Sequence, residues 1–575
     1  MNKLIRYTAI LSCVLSFLSC EGKVEEPFDG TADLGRRIAQ SKIHRVEMMP
    51  DLPSPYKMLD WKQKALDYDA YVFDENLNLY GKPLIWYETG ANTGEETFGL
   101  YTTVNDSRMG PGHNPGAHES LNDMSALIGA TLCGIDKTSQ NGRNYVKMVQ
   151  NYFSRYAYGI MMNNPTGGAS DWWYLVFPNV LYYALCDLYP DVEGAEDLQR
   201  KIADKFCAAD KVLAGNYDWS YFDYQYMRGV KNQIPLQQDA AGGHAWVLYS
   251  AWKKFGDQNY LDHAISAMDV LHNQRESRFY EVLLPMGILT AAKMNAEIGT
   301  EYDIRKMLDW VFDGCKSSSG RNGWGVIADH WGPYDVHGLQ GSLTDGGGYA
   351  FFMNSVKLAM AFVPMVKYAP QYSYSIGKWM LNLANNCRLF YPDEIDDAHQ
   401  YLPHLKNLTH GNIAYEGLRR FDKYGKPQLK GISPVALGDG PSWTEHNPEE
   451  TMFSLYSTSP VGILGAIVQK TEVEGVLRLD CNVTDFYGER PYPVYLYYNP
   501  HKEPVQVTYH PEVSHVNLIN LIDKDLMATL VSGDCPIVLP AGRCALVTEV
   551  PVGIKIENRD GHLVDAATGA IISYK

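Results

Sequence analysis

WWYLVFPNVLYYAL, residues 172–185, is apolar on every face, and so is YAFFMNSVKLAMAFV at 349–363. A helix with no polar stripe has no side to give to water, so other elements must surround it. Between such stretches lie amphipathic ones. Ile304, Met307, Leu308, Val311 and Phe312 fall at i, i+3, i+4, i+7 and i+8, one face of a helix. This alternation predicts twelve helices, at roughly 60–73, 118–134, 142–158, 171–188, 195–213, 239–256, 257–274, 281–298, 301–314, 345–368, 370–390 and 450–469. Six all-apolar helices inside six amphipathic ones make an (α/α)6 barrel over residues 60–470. Inner helices of such a barrel run parallel. Their N-termini therefore open on one face, and the loops rich in Trp, Tyr, His, Asp, Glu and Gly lead into it.

After residue 471 the apolar period drops from helical to two. Val494, Leu496 and Tyr498 alternate, as do Val505, Val507 and Tyr509, with NPHKEP at 499–504 as the turn between them. CPIVLPAGRCALVTEV at 535–550 reads as two more strands. Residues 471–575 are thus expected to form a small antiparallel β-sandwich domain.

The N-terminus reads as a targeting segment over residues 1–20. Lys3 and Arg6 are its positive end, Ile10 to Leu18 its apolar run, and Leu18-Ser19-Cys20 its close. This resembles a bacterial lipoprotein signal, with Cys20 lipidated and the protein held by outer-membrane lipid. Residues 21–59 read as an acidic tether and an N-terminal segment. The remaining cysteines are scattered without a CxxC, and Cys133, Cys186 and Cys207 sit in helical patterns as small core residues. A net charge of −17 with no basic patch excludes nucleic acid as a partner.

Alternating helices, aromatic and acidic loops, a β domain and a lipoprotein signal together resemble the six-hairpin carbohydrate-active enzymes, glycoside hydrolases and polysaccharide lyases. The resemblance is architectural, covers roughly 60–550, and transfers no catalytic residue. It implies an exported enzyme acting on an oligo- or polysaccharide. The leading expectation is a glycoside hydrolase with a carboxylate general acid and base. A lyase acting on a uronate would instead use Tyr334, His244, His330 or His337 as base and Arg228 to neutralise the acid. A non-catalytic, lipid-anchored glycan-binding protein is the third reading.

Each inner helix begins at or near an acid: Glu119, Asp171, Asp239, Glu281, Asp345, and Glu449-Glu450. Such acids serve as N-caps or complement the positive helix end, and parallel helices also aim them at one mouth. Glu281 stands among apolar residues in RFYEVLLP, which favours the protonated form and suits a general acid. Its structural alternative is an ion pair with Arg278 or Arg275. Asp345, in the Gly-rich LTDGGGY, suits the base. Asp171 is the third catalytic candidate. Glu119, Trp172, Asp329, His330, Trp331, Tyr334, His337 and Trp443 are the expected substrate contacts, with Trp172 exposed and Trp173 in the core. His330 and His337 lack a third ligand at a recognisable spacing, so neither a metal nor a cofactor is expected. His244, in AAGGHAW, reads as a satisfied core histidine.

Overall fold

The computed structural model describes residues 33–106, 118–315, 323–343, 348–440 and 448–575. Cys20, Asp345 and Trp443 lie outside the described residues. The chain forms a helical domain followed by an antiparallel β domain.

The helices used below are α1 (Trp61–Val72), α2 (Ser120–Leu132), α3 (Tyr145–Met148), α4 (Trp172–Leu188), α5 (Ala195–Leu213), α6 (Ala240–Phe255), α7 (Gln258–Asn273), α8 (Leu283–Ile298), α9 (Ile304–Phe312), α10 (Phe352–Met365), α11 (Ser373–Asn386) and α12 (Val461–Ile467). The even-numbered ones are buried along nearly their whole length; of the odd-numbered ones α1, α5, α7 and α9 bury one stripe, whereas α11 is buried at nearly every position. Among the even helices α2 packs on α4, α4 on α6, α6 on α8, α8 on α10, α10 on α12, and α12 back on α2. The odd helices pack behind them, α1 on α12, α7 on α6 and α9 on α8.

Glycines set two of these crossings. A Cβ on Gly462 of α12 would lie 2.2 Å from the Gly129 carbonyl of α2, and one on Gly242 of α6 would lie 3.0 Å from Cα of Gly287 on α8. Only bare backbones approach so closely, which explains glycine inside helices that propensity alone would fill with alanine.

Segments leading into even helices are long, such as 214–239 and 313–351, whereas those leaving them are short, such as 256–257 and 299–303. The long ones carry the small sheets. These are the hairpin β1 (Ile85–Thr89) with β2 (Glu96–Leu100), the hairpin β3 (Tyr221–Asp223) with β4 (Arg228–Val230), and the hairpin β6 (His330–Trp331) with β7 (Tyr334–Asp335). Strands β5 (Trp324–Val326), β8 (Gln340–Ser342), β9 (Tyr349–Phe351), β10 (Gly417–Arg419) and β11 (Val435–Leu437) form one sheet in the order β11-β10-β9-β8-β5.

That sheet corrects one expected helix. The segment 345–368 was to be helical throughout, but Tyr349–Phe351 pairs with β8 and β10, and α10 begins only at Phe352. The long connection 391–449 supplies β10, and this pairing across distant sequence overrides local helical periodicity. The segment 450–469 is likewise broken, into a 3-10 turn, the turn Leu455–Thr458, and α12 after Pro460. The expected helix 142–158 shortens to α3 and a 3-10 turn ending at Tyr152.

In the β domain β12 (Val468–Lys470), β13 (Leu477–Asp480), β14 (Val494–Tyr498), β16 (Val516–Asn520), β17 (Asp525–Val531) and β19 (Cys544–Pro551) form one sheet in the order β12-β13-β14-β19-β16-β17. Strands β15 (Val505–Tyr509) and β18 (Cys535–Leu539) form a second. Along β14, Tyr495 and Tyr497 enter a cluster with Val507, Tyr509, Ile537 and Leu539 of the smaller sheet, while Val494, Leu496 and Tyr498 join the core shared with the helices. The period of two is therefore a division between two cores, which is why VYLYY is buried at every position.

Beneath the helices the two regions are joined by a charge cluster. Asp485 is fully buried, with Lys293 of α8 and Lys367 each 2.7 Å from one carboxylate oxygen, and Tyr368 donates its hydroxyl at 2.7 Å. Burial opposes ionisation, but the two lysines hold this carboxyl far below the usual range.

Candidate active site

Of the described acids at even-helix starts, only Asp171 caps its own helix, accepting from Trp173 N at 3.3 Å. It also accepts from Nε2 of Gln237. Asp239 accepts instead from Tyr280 N, at 3.0 Å, which fixes the residue before Glu281. Glu119 accepts from Nδ2 of Asn163.

Glu281 departs furthest from a capping role. It precedes α8 by two residues, is buried, and holds a left-handed backbone with φ of +56°. That conformation costs a non-glycine residue about 1–2 kcal/mol, and such strain persists where the surroundings fix it. Its Oε2 accepts from Nδ2 of Asn354, on the first turn of α10. The alternative of an ion pair with Arg278 does not appear among the described contacts. Arg278 faces Asp218 at 3.6 Å and Glu276 at 3.0 Å.

Three residues after Asn354, the side chain of Lys357 is fully buried over the ring of Phe177, at 4.7 Å, and its Nζ has no hydrogen-bond partner. Burial lowers its pKa to about 7, opposed by the negative charge of Glu281. The charge of Glu281 also reaches Tyr174, Tyr456 and Tyr349 and raises all three phenols, on which burial acts most strongly. Glu119 raises Tyr174 and Tyr456 as well. These carboxylates and phenols therefore share one interior. Around it the Tyr349 hydroxyl, Asn354 Oδ1, Gln340 Oε1 and Lys357 Nζ are all buried without a partner. Native interiors leave few such groups, and buried water completes the bonding of many of them. The Asn354 amide and the Lys357 amine thus stand near Glu281, beside the buried Phe279, Val282 and Leu283 that its sequence neighbours led one to expect.

A second acid, which the sequence reading missed, faces the same phenol. Glu416 precedes β10. Its carbonyl accepts from Phe352 N at 3.2 Å and its Oε2 from Asp439 N at 2.6 Å. Burial, reinforced by the charge of Asp439, raises its carboxyl to about 7. Glu416 and Glu281 both act on Tyr349, whose ring lies 4.3 Å from the Arg419 guanidinium. Nothing in IAYEGLRR at 413–420 signals this role, because β10 meets β9 only in the folded chain.

Asp123 on α2 is also raised to about 7 by burial, against a 2.5 Å bond from the Tyr152 hydroxyl. Its other oxygen accepts from Leu100 N of β2, at 3.1 Å. One oxygen thus seats β2 and the other the 3-10 turn that ends at Tyr152, a structural task.

One expected exposure is corrected, and the other expected contacts are placed as follows. Trp172 is fully buried, stacked on Tyr217 at 5.4 Å beneath the β3–β4 connection, so it is no more exposed than Trp173. Trp331 and His337 are buried too. Tyr334 donates to Asp396 at 2.8 Å, and Asp329 lies 3.8 Å from Arg420. His330 remains exposed. His244 is a core residue, as expected. It is fully buried between Tyr224 (2.6 Å) and Tyr217 (3.2 Å), and burial lowers it to about 3, which keeps it neutral. Arg228 is exposed on the β3–β4 hairpin. Two open hollows, of about 440 and 530 Å³, lie at the outer helices α5 and α7, and neither contains the convergent acids.

No family model matches the chain, and no curated protein matches it. Similar solved structures are glycoside hydrolases, the class named by the sequence resemblance. A GH127 β-L-arabinofuranosidase from Geobacillus stearothermophilus T6 is 10% identical, with a TM-score of 0.35 over 77% of this chain and 74% of that one. A structure titled glycoside hydrolase is 11% identical, with a TM-score of 0.37 over 77% and 76%. An α-L-rhamnosidase from Dictyoglomus thermophilum is 8% identical, with a TM-score of 0.30 over 75% and 46%. At these scores function has to be argued from the site.

Lys357 yields a prediction that separates ligand chemistry from stability. Its lowered pKa means that folding disfavours its charge. The penalty grows as pH falls from about 10 to about 7 and is complete below that. Lys357→Met should therefore raise the melting temperature, increasingly so toward pH 7, while turnover falls because Glu281 loses the cation beside it. A lower melting temperature at pH 7 would show that Nζ is bonded in solution.

Proposed function

We propose that this chain is a glycoside hydrolase on an (α/α)6 barrel, with its cleavage site at the mouth where the even helices begin. The observation that supports this most directly is that Glu416 and Glu281 both act on the phenol of Tyr349. One carboxyl is raised to about 7 and can hold a proton at neutral pH; the other faces an amide and an ammonium. Carboxylates whose environments push them apart divide into acid and base, and glycoside hydrolysis needs that division. In this reading Glu416 protonates the departing glycosidic oxygen. Glu281 acts at the anomeric carbon, directly or through water. Glu119, Tyr174 and Tyr456 meet sugar hydroxyls, and Asp171 positions α4. Asp345 and Trp443, outside the described residues, stay as candidates.

Of the residues that a lyase would use, His244 is sealed in the core and Arg228 is exposed on the β3–β4 hairpin, whereas Tyr334, His330 and His337 lie on or next to the β6–β7 hairpin. A panel of neutral and uronate-containing glycans tests the proposal. Reducing ends should appear without near-ultraviolet absorbance from an unsaturated product; such absorbance would establish a lyase, and binding without turnover a lectin-like protein.

Export completes the proposal. With Cys20 acylated, the enzyme would be anchored in the outer membrane with residues 471–575 as its β domain. Cys20→Ser should move the protein from the membrane fraction to the soluble one, and unchanged fractionation would refute the anchor.

A further inference from the structure

His330 and His337 look like two thirds of a ligand set, and the β6–β7 hairpin supplies the rest. Turning at Gly332-Pro333, it pairs His330 with Asp335 across the ladder. A ring nitrogen of each histidine and a carboxylate oxygen of Asp335 all lie within 4.8 Å of one another. Asp335 is held firmly by one oxygen. Oδ1 accepts from His337 N at 2.9 Å and from Nδ2 of Asn386 at 2.9 Å, and lies 2.7 Å from His337 Nδ1. Oδ2 is buried and has no hydrogen-bond partner. Asn386, at the end of α11, also donates to the His337 carbonyl at 2.9 Å, so one amide braces both residues. The rings of His330 and His337 meet edge to face, with centroids 4.9 Å apart. His337 and Asp335 are buried, whereas His330 is exposed and gives a way in from solvent.

A carboxylate fixed through one oxygen, with the other unpaired beside two imidazoles, is poorly explained as packing. We propose that His330, Asp335 and His337 bind one divalent transition-metal ion of the zinc type. Two nitrogen donors and one oxygen donor suit zinc, whereas calcium and magnesium favour oxygen-only sets. Three protein ligands leave a fourth place for water on the side of His330. Asn386 then acts as the outer partner that orients a ligating carboxylate. Neither Glu281 nor Glu416 is a donor, so this site stands or falls independently of the acid pair.

The full chain, stripped with a chelator, should take up one zinc per molecule on dialysis, with a raised melting temperature. Cobalt(II) in its place should show visible absorption typical of a nitrogen-ligated site. His330→Ala alters an exposed residue and keeps the fold, as circular dichroism would verify; it should abolish both signals. Asn386→Ala should weaken zinc binding about 10–100-fold. Sub-stoichiometric zinc, uptake unchanged in His330→Ala, or a preference for calcium over zinc would overturn the proposal.

Discussion

Glu416→Gln and Glu281→Gln should each reduce turnover by about 10²–10⁴ while leaving the melting temperature within a few degrees, since removing an essential acid or base costs that much. The two variants should differ in pH dependence. The raised carboxyl of Glu416 is protonated below about 7, so wild-type kcat/KM should fall as pH rises through that value. In Glu416→Gln this descending limb should vanish, and substrates with a good leaving group, which need no proton, should recover most of the loss. Glu281→Gln should keep the limb and gain nothing from such substrates. Both variants unfolding would make the acids structural. Both remaining fully active would discard the pair and move attention to Asp171 and Asp345.

Asp485→Ala should be the most destabilising single change of those considered. It leaves the ammonium groups of Lys293 and Lys367 buried with no counter-charge. Breaking a buried pair in this way costs about 3–5 kcal/mol. The expected result is a large drop in the denaturation midpoint, with helical and β regions losing cooperativity together because the cluster joins them. The sign with pH follows from the depressed carboxyl. Its folded value lies below the unfolded one, so its contribution is present above the unfolded value of about 4 and is lost as pH falls toward the folded one. The gap between wild type and variant should therefore narrow in acid. Replacing Lys293, Lys367 and Asp485 together by apolar residues should restore much of the loss, because no charge is then buried alone. Equal stability of Asp485→Ala and wild type would show that water reaches the lysines.

Much of the helical architecture is legible in the sequence because its signal is local. The all-round apolarity of 172–185 and the stripe Ile304, Met307, Leu308, Val311 and Phe312 each report burial directly, and the observed helices begin and end within a few residues of most expected bounds. The same holds for the change of period near 471 and for the placing of Glu281 before an inner helix, since periodicity and charge are properties of a short window.

The partners of those residues were decided elsewhere. Glu416 becomes an acid with a raised pKa only because β10 pairs with β9 and β11, which brings it beside Tyr349 and Asp439, residues distant from it in the chain. Lys357 looks like the one charged interruption of an apolar helix, and only the packing around α10 leaves its amine unpaired near Glu281. Trp172 and Trp173 are indistinguishable in a linear reading, and the folded chain buries both. The third donor beside His330 and His337 exists because a two-residue turn folds Asp335 across the ladder. Burial of a single element is a local quantity that composition and period encode. Desolvation, ion pairing and ligand geometry depend on which distant groups share a volume, and only the tertiary structure sets that.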